Sequence, residues 1–272
     1  MMTESTVELN MLLETIERVY GYDFRHYAQA SLKRRLAGFL TKCQLGSYVQ
    51  LQEKLLHDKT LFSKLLLELS VTVTEMFRDP AFYLEFRKHV VPILKTYPFI
   101  KIWHAGCATG EEVYSMAILL YEEGFLAKTK LYATDFNMEA LDKAKQGIYK
   151  TQQAKIFIQN YNQAGGGAVF SNYYSTHYGA VKMHEFLKKN ITFAYHNLTV
   201  DRVFGEMNVI ICRNVLIYFD QQLQNRVFTL FNGSLCHRGF LCLGTKESLH
   251  FSTINDDFDK FSLKEKIYRR RT

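Results

Sequence analysis

At 272 residues the chain can bury a full α/β core with a smaller one beside it, and 47% hydrophobic with 22% charged residues marks it as globular and not disordered. A net charge of +7 suits acidic partners in general, but a modest excess of basic residues also serves solubility, so charge alone selects no partner class. The five cysteines have no CxxC spacing, the N-terminus MMTESTVELN has no signal pattern, and no apolar run approaches the roughly 20 residues of a membrane span, so a zinc module, a disulfide framework and membrane insertion are not indicated and a cytoplasmic protein with reduced thiols is expected.

In chain order, residues 5–70 read as helices. Leu9, Leu12, Leu13, Ile16 and Val19 recur at helical spacing, as do Leu61, Leu65, Leu66 and Leu69, with Gly21 and Gly46 as stops. Pro80 and Pro92 are expected to bracket a helix from about Ala81 to Val91. From residue 100 strands and helices alternate. Strands are expected at 101–105, 131–134, 191–195, 207–212 and 240–243, and helices at 111–123, 138–146 and about 221–231. Such alternation predicts a parallel sheet covered on both faces. Residues 163–189, with Gly165-Gly166-Gly167 and several tyrosines, interrupt it and predict a loop with a small excursion of strands.

Ligands of open α/β sheets bind at the carboxyl ends of the strands, and three strand ends carry unusual residues. The first is KIWHAGCATGEE, residues 101–112. Gly106 and Gly110 permit close backbone approach, but in GxxxG and not GxGxxG spacing. Glu111 and Glu112 open the following helix, which suits the helix dipole, yet they would repel a pyrophosphate and accept a cofactor with cationic groups. The second is Asp135, placed either to accept ribose hydroxyls or, with Asn137, to cap a helix. The third is CRNVLIYF, residues 212–219, where Arg213 comes straight off a buried strand and needs a partner. Asn197-Leu198 ends another strand, as a turn or as an edge for a base. His104 and His196 read as strand residues. Upstream, Thr72, Thr74 and Arg78 lie where a helical front would join the α/β part, with Asp79-Pro80 as a helix start.

At these residues the chain resembles the chemotaxis receptor methyltransferase family, CheR. The matching pieces are VTEMFRDPAFY (73–83), AGCATGEEVYSMA (105–117), ATDFN (133–137), HNL (196–198), ICRNVLIYF (211–219) and GFLCLGTKES (239–248). SLKRRL (31–36) is similar to part of the family's small N-terminal domain. The resemblance implies a class I, Rossmann-like S-adenosylmethionine-dependent methyltransferase sheet with a final antiparallel strand at about 266–270, behind a small all-helical domain. The division expected is 1–79 for the helical domain and junction and 80–272 for the methyltransferase domain, with an insert subdomain at about 160–190.

The same resemblance implies that Thr72, Thr74 and Arg78 reach the cofactor from the junction. Gly106 and Glu111, with Glu112 as the alternate, would hold its methionine end. Asp135 would take the ribose, Asn197 and Leu198 the adenine, and Arg213 and Asn214 the region by the sulfonium. Arg78 and Tyr218 are the candidate catalytic residues, orienting a substrate carboxylate by charge-assisted and hydroxyl hydrogen bonds. The implied reaction is bacterial protein-glutamate O-methylation on the cytoplasmic helices of a chemoreceptor-like protein, leaving S-adenosylhomocysteine. The basic helix around Lys33, Arg34 and Arg35 is the expected contact with that receptor, and no nucleic-acid partner is expected. The other reading is a CheR-like module that binds cofactor or partner in another signalling system with little turnover. Two departures from the family pattern stand out. The 160–190 insert carries no legible peptide-docking motif, and Thr245-Lys246 replaces a common Gly-His-Ser-type run.

Overall fold

The computed structural model describes residues 4–70 and 72–271. They separate into two compact units. One joins the residues before position 71 with Leu216–Arg226, and the other joins Thr72–Val215 with the chain from Val227 onward.

The helical unit contains α1 (Glu4–Tyr20), α2 (Gln29–Lys42), α3 (Tyr48–His57) and α4 (Lys59–Leu69). Its core follows the sequence spacing: Leu9, Leu12, Leu13 and Ile16 of α1 are buried with Leu32, Leu36, Leu51, Leu55, Leu65 and Leu69. Val19 departs from the expectation and is exposed, in the last turn of α1. Ser47 caps α3 by accepting from the Gln50 amide, and Asp58 caps α4 by accepting from the amides of Thr60 and Leu61. Gly46 is not the stop of α2. That helix ends at Lys42, and Gln44 takes the left-handed conformation two residues later (φ 54°). The distant segment 216–226 is tied on by backbone bonds from Ala28 N to Tyr218 O and from Asp220 N to His26 O, with an antiparallel bridge between Tyr27 and Phe219.

The larger unit opens with α5 (Pro80–Glu85), a π-helical turn at Phe86–Val90, and α6 (Val91–Leu94). Pro92 therefore does not close the helix, contrary to its sequence reading. The Val91 amide reaches back to the Phe86 carbonyl, and this wider turn absorbs the hydrogen bond that proline cannot make. There follow β1 (Ile100–Ala105), α7 (Glu111–Glu122), β2 (Thr129–Asp135), α8 (Met138–Gln146), β3 (Ile148–Lys150), α9 (Thr151–Gln163), β4 (Tyr174–His177), β5 (Ala180–Met183), α10 (Glu185–Lys188), β6 (Ile191–Tyr195) and β7 (Met207–Cys212). The chain ends with α11 (Gln221–Ser234), whose residues up to Arg226 group with the helical unit, then β8 (Leu235–Leu243), β9 (Phe258–Ser262) and β10 (Ile267–Arg270).

Seven strands form one sheet in the order β6-β2-β1-β7-β8-β10-β9. The first five are parallel, and β10 runs antiparallel to both β8 and β9. The final antiparallel strand is where it was expected; β9 beside it was not foreseen. β1 is central and nearly wholly buried. Ile100 and Ile102 face the core that also holds Val113, Met116 and Ala117 of α7, and His104 shares their parity. Trp103 faces the other way, against Phe204 and Phe231.

The region that interrupts the alternation forms a second sheet, β3-β5-β4. The expected small excursion of strands is present and packs on the main core. Phe170, Tyr173, Val181, Met183 and Leu187 join the same core as Phe77, Tyr161 and the strands of the main sheet. Glu122 of α7 accepts hydrogen bonds from Tyr161, Tyr173 and the Gly167 amide while pairing with Arg87 at 2.7 Å. Among the described residues, no helix is long and apolar enough to cross a membrane.

Candidate active site at the carboxyl edge of the parallel strands

Because β1, β2, β6, β7 and β8 run parallel, their carboxyl ends lie along one edge. The strand order turns back between β1 and β7, the topological switch at which such sheets bind ligands. Each motif singled out in the larger unit's strand ends falls on this edge.

The turn after β1 is built for close approach. Gly106 has φ +78°, and a Cβ there would lie 2.7 Å from the Val215 side chain. Gly110, at φ +91°, sits 2.9 Å by the same measure from Cβ of Ala144. Any other residue at either position would strain the backbone and push against a packed neighbour. Between them Ala108 also holds a left-handed conformation (φ 48°), and its amide donates to Asp135 at 2.9 Å.

Asp135 is buried and receives a second amide bond, from Asn137, on its other oxygen. Burial raises its carboxyl above the ordinary range, against the pull of the amides of Asn137, Ala108 and Phe136. Capping of α8 falls to Asn137, whose side chain accepts from Ala140 N. Three amides engage a carboxylate with about four lone-pair sites, which leaves room for a further donor.

The two glutamates have separate environments. Glu111 is 3% exposed, and among the described residues its side chain accepts from the Thr109 hydroxyl, at 2.6 Å, and forms no ion pair. Burial lifts its carboxyl to about 7, against the opposing hydrogen bond from Thr109. A carboxylate held this way, without a cation, is suited to receiving one. Glu112 is already committed. Its Oε1 lies 3.1 Å from Nδ1 of His104 and its Oε2 lies 3.1 Å from Arg213. Burial works to raise this carboxyl, but His104 and Arg213 outweigh it and hold it below the ordinary value.

Arg213 finds the partners its position demanded. Its side chain is 1% exposed and donates to Asp79 at 2.8 Å, to Glu112, and to the Arg78 carbonyl at 3.3 Å from both terminal nitrogens. The guanidinium also lies over the Phe82 ring, 4.3 Å from its centroid. Burial disfavours its charge, but Glu112, Tyr83 and Asp79 more than restore it. Arg213 thus fastens the turn that carries Arg78. That turn is strained on both sides, with Phe77 at φ 54° and Asp79 at φ 56°, and Ser115 of α7 accepts the Phe77 amide at 2.8 Å. The Arg78 guanidinium itself forms no ion pair with another described residue. Thr72 and Thr74, partly exposed, lead into this turn.

Asn197 and Leu198 follow β6 and are both buried. The Asn197 side-chain oxygen caps its own turn, accepting from the amide and hydroxyl of Thr199. Asn214 has a left-handed backbone (φ 62°), and its amide donates to Glu247. Glu247, which sequence reading did not single out, also accepts from Val215 at 2.9 Å and Gly244 at 2.6 Å, and so clamps the ends of β7 and β8 together. An acid four residues past the apolar strand end FLCL was the available signal. His104 was likewise taken only as a strand residue. It is one, but its side chain holds Glu112.

Tyr218 lies in the 216–226 segment of the helical unit. Its ring is 5.7 Å from the Arg35 guanidinium, which also donates to the Glu68 carbonyl at 3.0 Å. Of the basic stretch on α2, Lys33 and Arg34 are exposed, and Arg35 is half-buried by these contacts.

Comparison with known proteins gives the site its chemistry. Residues 72–267 match the family model described as "CheR methyltransferase, SAM binding domain", and residues 7–70 match "CheR methyltransferase, all-alpha domain". A protein of Pseudomonas putida named "Putative methyltransferase Cher3" is 50% identical over 264 residues, 97% of each chain. The chemotaxis protein methyltransferase of Escherichia coli is 31% identical over 80% of this chain and 74% of its own. That of Listeria innocua is 26% identical over 86% and 87%. The cofactor is accordingly S-adenosylmethionine, and the glycine cradle and the buried, cation-free Glu111 fit its bulk and charge. This chain belongs to the CheR methyltransferase family: an all-helical domain followed by an S-adenosylmethionine-binding α/β domain.

Proposed function

We propose that this protein methylates glutamate side chains on the cytoplasmic helices of a chemoreceptor-like signalling protein, giving methyl esters, and that it works in the cytoplasm. The observation that carries the reading is Arg78: a guanidinium with no ion pair among the described residues, on a turn locked by Arg213 beside the cofactor edge. Such a group recruits an anion, and a glutamate carboxylate is one near neutral pH.

S-adenosylmethionine supplies a methyl group on a positively charged sulfur, which leaves as a neutral thioether. The residues of this chain then bind and orient. Glu111 receives the ammonium of the methionine end, and contact with that cation favours its ionised form. Glu112 is the alternate, but its bonds to His104 and Arg213 make Glu111 the better match. Gly106 lets the backbone close on this end. Asp135 accepts the ribose hydroxyls, Asn197 and Leu198 border the adenine, Thr72 and Thr74 approach from the segment before Arg78, and Arg213 and Asn214 frame the region of the sulfonium. Arg78 orients the substrate carboxylate. No general base is needed, because the nucleophile is already ionised, so catalysis is alignment and exclusion of water. Arg78 must align without holding tightly, since a strong ion pair would quench the nucleophile. Lys33 and Arg34, the exposed part of the basic stretch, are the surface offered to the acidic receptor helices.

Transfer of labelled methyl groups to base-labile esters on receptor cytoplasmic fragments from the same genome tests the reading. Label that alkali releases as methanol supports it. Tight cofactor binding with no ester on any such fragment overturns it in favour of a non-catalytic module.

A further inference from the structure

We propose that His104 is a positioning residue for methyl transfer: through Glu112 and Arg213 it fixes the Phe77–Asp79 turn and so aims Arg78. The inference rests on the reading of Arg78 as the group that meets the substrate carboxylate.

His104 is wholly buried on β1, with Nδ1 at 3.1 Å from Oε1 of Glu112. A carboxylate only accepts, so Nδ1 carries the hydrogen. The other ring nitrogen is buried with no hydrogen-bond partner among the described residues, which leaves the Glu112 contact as the imidazole's polar engagement with the protein. This divides Glu112 cleanly. One oxygen serves His104, and the other serves Arg213 at 3.1 Å. The terminal nitrogens of Arg213 also serve Asp79 and the Arg78 carbonyl, while its buried Nε has no partner among the described residues. A continuous path therefore runs from the buried central strand to the backbone of Arg78, through side chains of β1, α7 and the end of β7.

Without His104, Oε1 of Glu112, on a side chain 18% exposed, would lose its protein donor. The nearest remedy is for both carboxylate oxygens to turn onto Arg213 as a bidentate pair. That geometry competes for the nitrogens now bonded to Arg78 and Asp79. The turn they hold has two non-glycine residues in the left-handed region, a conformation that persists only when its surroundings enforce it. Released, it relaxes, and Arg78 loses its aim. A histidine whose role was only to fill volume would not pass its loss to a turn on another element.

The test compares His104→Phe, which keeps an aromatic ring but no donor, with His104→Asn, whose amide nitrogen stands near the place of Nδ1. Amide hydrogen exchange is followed at 77–81 in the ligand-free full-length protein, beside kcat, the KM for each substrate and cofactor affinity. In His104→Phe, exchange at 78, 79 and 81 should quicken about tenfold or more. Its kcat should fall about tenfold or more, with the KM for S-adenosylmethionine within about threefold of wild type. His104→Asn should recover most of both. A folded His104→Phe protein with wild-type exchange at this turn overturns the proposal, as does Asn behaving no better than Phe. If His104→Phe does not fold, His104→Gln replaces it, because its amide reaches toward the Nε2 position; Asn and Gln giving equal exchange and kcat overturns the proposal. Arg78→Gln separates the two readings. Undiminished turnover there refutes the role given to Arg78 and with it the aiming proposed here, whereas a loss there with no response to His104 substitution refutes the positioning role alone.

Discussion

Glu111 concentrates the electrostatics of the site in one residue. Its folded-state value of about 7 lies above its ordinary 4.5, so the folded protein binds a proton that the unfolded chain releases. The contribution to stability is complete below about pH 4.5 and is lost as pH rises through 7. By linkage, ionised Glu111 costs the ligand-free protein about 3 kcal/mol above that pH. Glu111→Gln should therefore make the ligand-free protein more stable than wild type at pH 8, with little difference at pH 4.5, and should weaken cofactor binding. Denaturant melts at the two pH values and calorimetry check this; equal stability at pH 8 would mean the carboxyl is not strained. Arg213 shows the opposite case, a buried charge paired with two carboxylates. Arg213→Met strands Glu112 and Asp79 and should destabilise by about 3–5 kcal/mol, the usual cost of breaking a buried pair from one side. A loss below 1 kcal/mol would argue against the clasp.

Among the elements, the second sheet is the one whose packing the sequence did not display. The glycine run and alternating tyrosines of residues 163–189 mark a departure from strand–helix alternation, and that much was legible. That Phe170 and Tyr173 pack with Phe77 and Tyr161 was not, because contacts between residues so far apart leave no local periodicity. Phe170→Ala should consequently cost about 3–5 kcal/mol, a core penalty, and not the small loss of a surface appendage; urea melts measure it. Helix α2 was read correctly as basic, but burial divides it. Reversing Lys33 and Arg34 to Glu should raise the KM for a receptor substrate by about tenfold while leaving cofactor affinity unchanged, because these exposed charges can act only on an incoming partner. Cofactor binding that falls in parallel would remove α2 from substrate recognition.

At the scale of the molecule, the helical unit is discontinuous, since Leu216–Arg226 returns to it after most of the chain has folded elsewhere. The 2.9 Å hydrogen bond between His26 and Asp220 and the edge-on rings of Tyr27 and Phe219 fasten it. A fragment of residues 1–71 lacks those contacts and should melt below the same fragment supplied with a 216–226 peptide; identical melts would show that the segment adds nothing. What the sequence by itself determined were the features written in local order. Hydrophobic period sets helices and strands, strand–helix alternation sets the parallel sheet, and a series of short motifs sets the family. Those motifs sit at strand ends, where parallel order brings residues 106, 135, 197 and 213 to one edge. Only the tertiary structure decided how the polar groups divide their labour. Glu111 and Glu112 are adjacent in sequence and look interchangeable, yet one accepts from Thr109 with no ion pair among the described residues while the other is engaged by His104 and Arg213. Their difference lies in burial and in donors supplied from distant parts of the chain, and such three-dimensional neighbourhoods are set by packing and not by spacing along the sequence.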